Sequence, residues 1–140
     1  GAWEVLGSDV SRRVLDIARR GKYPMARTEH TPHAYLKEYC RRGVNAEFGS
    51  LLVCKHLRNR VRLEHVNLVK TLPRQIGMFD TVFLRNTLIY FDEETRKEII
   101  ERVVRRLKRG GYFFVSHTES IAGLTTALEQ IQPSIYRKTR

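Results

Sequence analysis

Apolar residues recur along this chain in two rhythms, one of period two and one near 3.6, and the switches between them mark its strands and helices. Trp3-Glu4-Val5-Leu6-Gly7 is a short β-type run that stops at Gly7-Ser8-Asp9. Val14, Leu15, Ile17 and Ala18 then build one helical face over Ser11 to Arg20, and Gly21 ends it. Ser8, Asp9 and Ser11 are all of the type that satisfies orphan amides at a helix start. From Lys22 to Pro32 the periodicity fades into a loop. Thr31-Pro32 opens a helix to about Arg41, which Gly43 terminates. Leu51 to Lys55 and Arg60 to Val66 alternate like strands, and the spacer around Arg58-Asn59 predicts a hairpin between them.

The second half is cleaner. Phe79 to Leu84 is nearly all apolar, the pattern of a parallel strand covered on both faces. Asp92 caps a predicted helix through about Lys108, with Ile99, Ile100, Val103, Val104 and Leu107 at core spacing and Gly110-Gly111 as its stop. Tyr112 to Ser116 is another buried-type strand. Leu128 to Lys138 reads as two short strands around Gln132-Pro133-Ser134, close enough to require an antiparallel hairpin. Alternating strands and helices predict an α/β sheet, mostly parallel, with helices on its faces.

Composition narrows the function classes. One domain fits the 140 residues, and a hydrophobic fraction of 41% supports a core. No run approaches a membrane helix and no signal peptide opens the chain, so a cytoplasmic protein is expected. Cys40 and Cys54 lack metal-ligand spacing and read as free thiols, and the five histidines supply no second ligand pair. The net charge of +11 favours encounters with polyanions or acidic surfaces. Its Arg pairs (Arg12-Arg13, Arg19-Arg20, Arg41-Arg42, Arg105-Arg106) are dispersed and no recognition motif accompanies them, which argues against nucleic acid; an acidic protein partner, or membership of a larger and more balanced protein, explains the charge equally well. Nucleophile-elbow, zinc-protease, P-loop and dinucleotide motifs are all missing.

Polar residues just past strand ends are the first functional candidates in such a sheet. Asp9 is a helix cap or an acceptor for two vicinal hydroxyls. Asn67 is a turn residue or a partner for an adenine edge, since its amide both donates and accepts. Arg85-Asn86 closes the central strand, where a guanidinium forms a surface ion pair or forks onto a carboxylate. Tyr90 and Phe91 are corner packing, or Tyr90 borders a reaction site.

The order of Trp3-Glu4-Val5-Leu6-Gly7-Ser8-Asp9, Val66-Asn67-Leu68, Arg85-Asn86-Thr87-Leu88-Ile89-Tyr90-Phe91-Asp92, Leu107-Lys108-Arg109-Gly110-Gly111 and Ser116-His117-Thr118-Glu119-Ser120 resembles the CheR-type chemoreceptor glutamate methyltransferases over nearly the whole chain. The resemblance implies a class I S-adenosylmethionine-dependent methyltransferase sheet, Rossmann-like, with a C-terminal antiparallel hairpin and a small inserted β-subdomain at 44–66. It implies methyl transfer from S-adenosyl-L-methionine to a receptor glutamate carboxylate, with S-adenosyl-L-homocysteine as product. Asp9 then takes the ribose, Asn67 and Leu68 the adenine region, Arg85 and Asn86 the cofactor's far side, and Tyr90 with Arg85 the transfer site. The partner implied is the acidic cytoplasmic helical bundle of a chemoreceptor.

Three departures accompany the resemblance. The family's first strand, Gly-rich loop and N-terminal helical domain have no counterpart, so a partial domain is expected, with weak cofactor binding and open strand edges that a second copy or a swapped strand fills. Val44 to Ser50 lacks the Gly-Thr-Gly type of turn of receptor-tethering members, which argues against docking to a receptor tail peptide. Leu84 replaces a common Cys, a neutral change. The competing reading is a degenerate methyltransferase-like module that binds or signals without catalysis; a basic nucleic-acid module is the third.

Overall fold

Two stretches with the same alternating pattern join different sheets, and that separation organises the first half of the chain. The computed structural model describes residues 1–140, which form two units, 1–66 and 67–140. The first runs β1 (Val5–Asp9), α1 (Arg12–Arg20), β2 (Lys22–Pro24), α2 (His33–Tyr39), β3 (Cys40–Arg42), β4 (Ser50–Val53), α3 (Lys55–Arg58) and β5 (Val61–His65). Strands β1 and β5 are parallel, in register from Val5 opposite Val61 to Asp9 opposite His65. Helix α1 starts where the Ser11 hydroxyl accepts the Val14 amide at 3.3 Å. It stops at Gly21, whose φ of 65° suits a residue without a Cβ.

The hairpin expected between Leu51–Lys55 and Arg60–Val66 does not form. Strand β4 is instead the centre of an antiparallel sheet ordered β2-β4-β3, and β5 belongs with β1. The spacer is taken up by α3, closed by Arg58 Nε donating to the Val53 carbonyl at 2.9 Å. Alternation identifies a strand but says nothing about its partner, and a helical turn between two strands removes the tight reversal a hairpin needs. The small β-sheet therefore draws its strands from residues 22–53 and not from 44–66. Lys22–Pro24, expected as loop, is one of its edges.

The second unit runs β6 (Phe79–Phe83), α4 (Glu93–Val104), β7 (Leu107–Phe114), β8 (Leu128–Gln132) and β9 (Ile135–Lys138), in a single sheet ordered β6-β7-β9-β8. Strands β6 and β7 are parallel, while β9 returns antiparallel to β7 and pairs with β8 as the predicted hairpin. The Asp92 carboxylate accepts the Thr95 amide at 2.8 Å and starts α4. That hydrogen bond holds the Asp92 carboxyl below its ordinary pKa. Ile99 and Ile100 on α4 are fully buried with Leu107, Phe113 and Leu88; removing each such side chain from water stabilises the unit by about 1.5–3 kcal/mol.

Three expectations change here. Helix α4 ends at Val104, not near Lys108, because the Phe79 amide already binds the Arg106 carbonyl at 2.7 Å and draws the chain into β7. Gly110-Gly111 lies inside β7, where the register with β6 shifts between Phe79 and Thr81 and Gly110 takes a φ of 83°. This is the bulge use of glycine, not the helix-stop use. Strand β6 is also not covered on both faces: Phe83 is 68% exposed and stacks on Phe114 at 4.7 Å.

A Cβ on Gly111 would stand 2.7 Å from both the Asp80 carbonyl oxygen and Leu107 Cδ1. Gly111→Ala is therefore expected to cost about 1–3 kcal/mol. Urea unfolding checks this, as a lower midpoint at unchanged slope; an unaltered midpoint would mean the bulge relaxes at no cost.

Candidate functional site

Strand β6 ends at Phe83 and the next residue, Leu84, turns into the core, so the polar pair Arg85-Asn86 emerges beyond the carboxyl end of a parallel strand. The reversal depends on Asn86, one of few non-glycine residues with positive φ, at 57°. Asparagine tolerates that conformation better than most residues. A short 3-10 turn, Leu88–Tyr90, follows. Leu88 points inward at 1% exposure while Tyr90 points outward at 77%. The Arg85 guanidinium, the Asn86 side-chain carboxamide and the Tyr90 hydroxyl make no hydrogen bond or ion pair within the chain and are open to a ligand.

Glu119 holds this segment in place, and sequence reasoning assigned it no role. It follows β7 and is only 8% exposed. Its Oε1 accepts the Asn86 amide at 2.7 Å and its Oε2 accepts the Leu88 amide at 2.7 Å. The Ser116 hydroxyl and amide also donate to Oε1, at 2.7 and 3.3 Å. Burial alone pushes the Glu119 carboxyl up. The hydrogen bonds from Ser116, Asn86 and Leu88 outweigh it and leave the pKa below its ordinary value. The signal in the sequence was the Ser-His-Thr-Glu-Ser run after β7, where an acidic residue sits beyond the neighbouring strand's carboxyl end.

Asn67 and Leu68 belong to the same unit. Asn67 Oδ1 accepts the Val69 amide at 3.1 Å, an Asx turn that leaves its NH2 free to donate. The Leu68 side chain packs against the core, and its carbonyl accepts from Arg102 at 3.0 Å. Asp9 lies in the first unit, at the carboxyl end of β1. Its Oδ1 accepts the Ser11 amide at 2.8 Å, and Ser11, not Asp9, is the cap of α1. The second carboxylate oxygen of Asp9 is unengaged. The same unit carries a pocket of about 320 Å³ with Met25, Leu36 and Leu51 beside His33, Lys37, Arg41 and Arg42. Those four basic side chains have no acidic partner.

Parallel strands carrying polar loops at their carboxyl ends, followed by an antiparallel terminal hairpin, define a Rossmann-like class I methyltransferase fold. The crystal structure of the glycopeptide N-methyltransferase MtfA has that fold, with a TM-score of 0.52 at 21% identity over 98% of this chain and 45% of that one. Its complex with S-adenosyl-L-methionine gives 0.50 at 23% identity, covering 98% and 44%. The chain belongs to the CheR methyltransferase family, as its SAM-binding domain, matched over residues 1–137. Chemotaxis protein methyltransferase 2 of Pseudomonas aeruginosa is 32% identical over 133 residues, 95% of this chain and 48% of that protein. The chemotaxis protein methyltransferase of Escherichia coli K12 is 36% identical over 124 residues, 89% and 43%. The chain spans about half the length of these curated relatives.

Because its folded pKa is depressed, Glu119 contributes its full stabilisation above the unfolded carboxylate value and loses it only as pH falls through the lower, folded one. The Asn86 and Leu88 amides are thus expected to stay protected from hydrogen exchange at neutral pH and to lose protection only below the ordinary carboxylate range. Pulse-labelling across that range checks it; loss of protection near pH 6 would contradict the assignment.

Proposed function

We propose that this chain carries the cofactor and transfer residues of a cytoplasmic methyltransferase that esterifies glutamate side chains of chemoreceptors. The observation that carries this reading is the open Arg85, Asn86 and Tyr90 set beyond β6 in a chain of the CheR family. Taken one by one, the free groups suit parts of the cofactor. Asp9 keeps a free oxygen for a ribose hydroxyl, Asn67 keeps a free amide donor for an adenine acceptor, and Arg85 offers an unpaired fork for a carboxylate. When bound, S-adenosyl-L-methionine supplies an electrophilic methyl group on a sulfonium. A receptor glutamate is already ionised at neutral pH and needs no base. The chain's own contribution is therefore alignment and exclusion of water. In this reading Arg85 orients a carboxylate, Tyr90 borders the transfer position, and Asn86 completes the wall. The unpaired His33, Lys37, Arg41 and Arg42 around the first unit's pocket suit an acidic partner such as a receptor helical bundle.

The test uses the full gene product, radiolabelled S-adenosyl-L-methionine and receptor-containing membranes. Base-labile label on the receptor, released as methanol, is the expected signature of a glutamyl ester. Asp9→Ala is expected to weaken S-adenosyl-L-homocysteine binding by about tenfold, near 1.4 kcal/mol, as read by calorimetry. Arg85→Ala is expected to lower turnover by about a hundredfold or more. Base-stable label would overturn the ester assignment. Binding without any transfer would instead support a non-catalytic module.

A further inference from the structure

The loop after β6 contains a ready-made anion cup. Asn86 is left-handed at φ 57° and Thr87 is right-handed at φ −110°, ψ −44°. That alternation turns neighbouring amides to one side and creates a concavity that binds anions. In a methyl-transfer site such a cup would be expected to serve a ligand carboxylate. Here it is filled from inside the chain: Glu119 enters it with both oxygens, each 2.7 Å from one loop amide. The occupant cannot exchange for a ligand group without unburying a carboxylate that Ser116 also holds. The backbone amides are therefore committed to architecture, and recognition of an anion falls to the one unpaired cation of the segment, Arg85.

We infer that Glu119 is a positioning residue: its carboxylate, seated in the Asn86–Leu88 amide cup, sets the segment 85–90 so that Arg85 and Tyr90 face the ligand. This rests on the methyl-transfer reading above. Glu119 touches no ligand and acts entirely through the backbone. Its two oxygens divide the work. Oε1 ties Asn86 to the Ser116 turn after β7, and Oε2 is given to Leu88 alone. Both oxygens must be acceptors. A glutamine of the same size would aim an NH2 at one of two N–H donors, and an aspartate would be too short to reach both.

The experiment compares Glu119→Gln, Glu119→Asp and a surface control, Glu129→Gln, in the full gene product. Four quantities are read: melting temperature, hydrogen exchange of peptides covering 84–90, S-adenosyl-L-homocysteine affinity, and turnover. Glu119→Gln is expected to speed exchange at 86 and 88 and to lower turnover by about tenfold or more, with exchange elsewhere unchanged. Glu119→Asp is expected to fall between Glu119→Gln and wild type, and the control to match wild type. Unchanged exchange at 84–90 in both Glu119 variants would overturn the inference. So would faster exchange with wild-type affinity and turnover. A loss of turnover that follows only a global fall in melting temperature, with exchange rising throughout, would also overturn it. Should Glu119→Gln fail to fold, Glu119→Asp carries the same comparison. If wild type itself transfers no methyl group, the methyl-transfer reading fails, while local exchange and ligand affinity still decide the role of Glu119.

Discussion

A carboxylate withdrawn from water is costly unless its oxygens find donors, and the second unit is arranged around one that does. Glu119 collects amides from Asn86 and Leu88 and both donors of Ser116, so the loop after β6 and the turn after β7 share one anchor. The adjacent Leu88 is almost fully buried in the apolar cluster that α4 lays on the sheet. Polar and apolar restraints thus meet within two residues. The left-handed Asn86 is tolerable because both restraints favour the same backbone path.

The same economy explains which side chains remain free. Near the strand ends four backbone amides find side-chain partners within the chain: Ser11 in Asp9, Val69 in Asn67, and Asn86 and Leu88 in Glu119. What remains is a second oxygen on Asp9, an amide donor on Asn67, and the whole heads of Arg85 and Tyr90. At Asp9 and Asn67 one atom of the side chain serves the fold while another is left unengaged. This is why the choice between a turn residue and a binding residue at Asp9 and Asn67 does not have to go one way. Beyond the strand ends, β6 and β7 keep an aromatic surface, Phe83 stacked on Phe114, which α4 leaves open. No helix of the chain is long and apolar enough to cross a membrane.

Much of this was legible in the residues themselves because the relevant physics is local. The Asp92 cap, the core spacing of Ile99, Ile100, Val103 and Val104, the Gly21 stop and the turn at Pro133-Ser134 all act within a few residues of where they are written. The motif order that resembled the CheR family carried the fold class as well, and the family match over residues 1–137 agrees with it. Beyond the terminal hairpin, partner choice was not legible. Leu51–Lys55 and Arg60–Val66 carry the alternation of neighbouring strands, yet β4 pairs with β2 and β3 while β5 pairs with β1. Nothing within either segment distinguishes these outcomes.

Gly110-Gly111 makes the contrast plain, because a glycine pair after a helical pattern is compatible with a helix stop or with a bulge. The pull of β6 on Phe79, Arg106 and Leu107 decided for the bulge. Glu119 is the sharper case: its chemistry depends on amides more than thirty residues earlier in the chain. By itself the sequence determined most of the longer helices and strands, and which polar residues stand beyond strand ends, because periodicity and capping are short-range; the short elements β2, β3 and α3 escaped it. Only the tertiary structure decided how β4 and β5 pair and that the anion cup at Asn86 is filled from within. Those outcomes depend on hydrogen-bond donors and acceptors that meet only after the chain has folded.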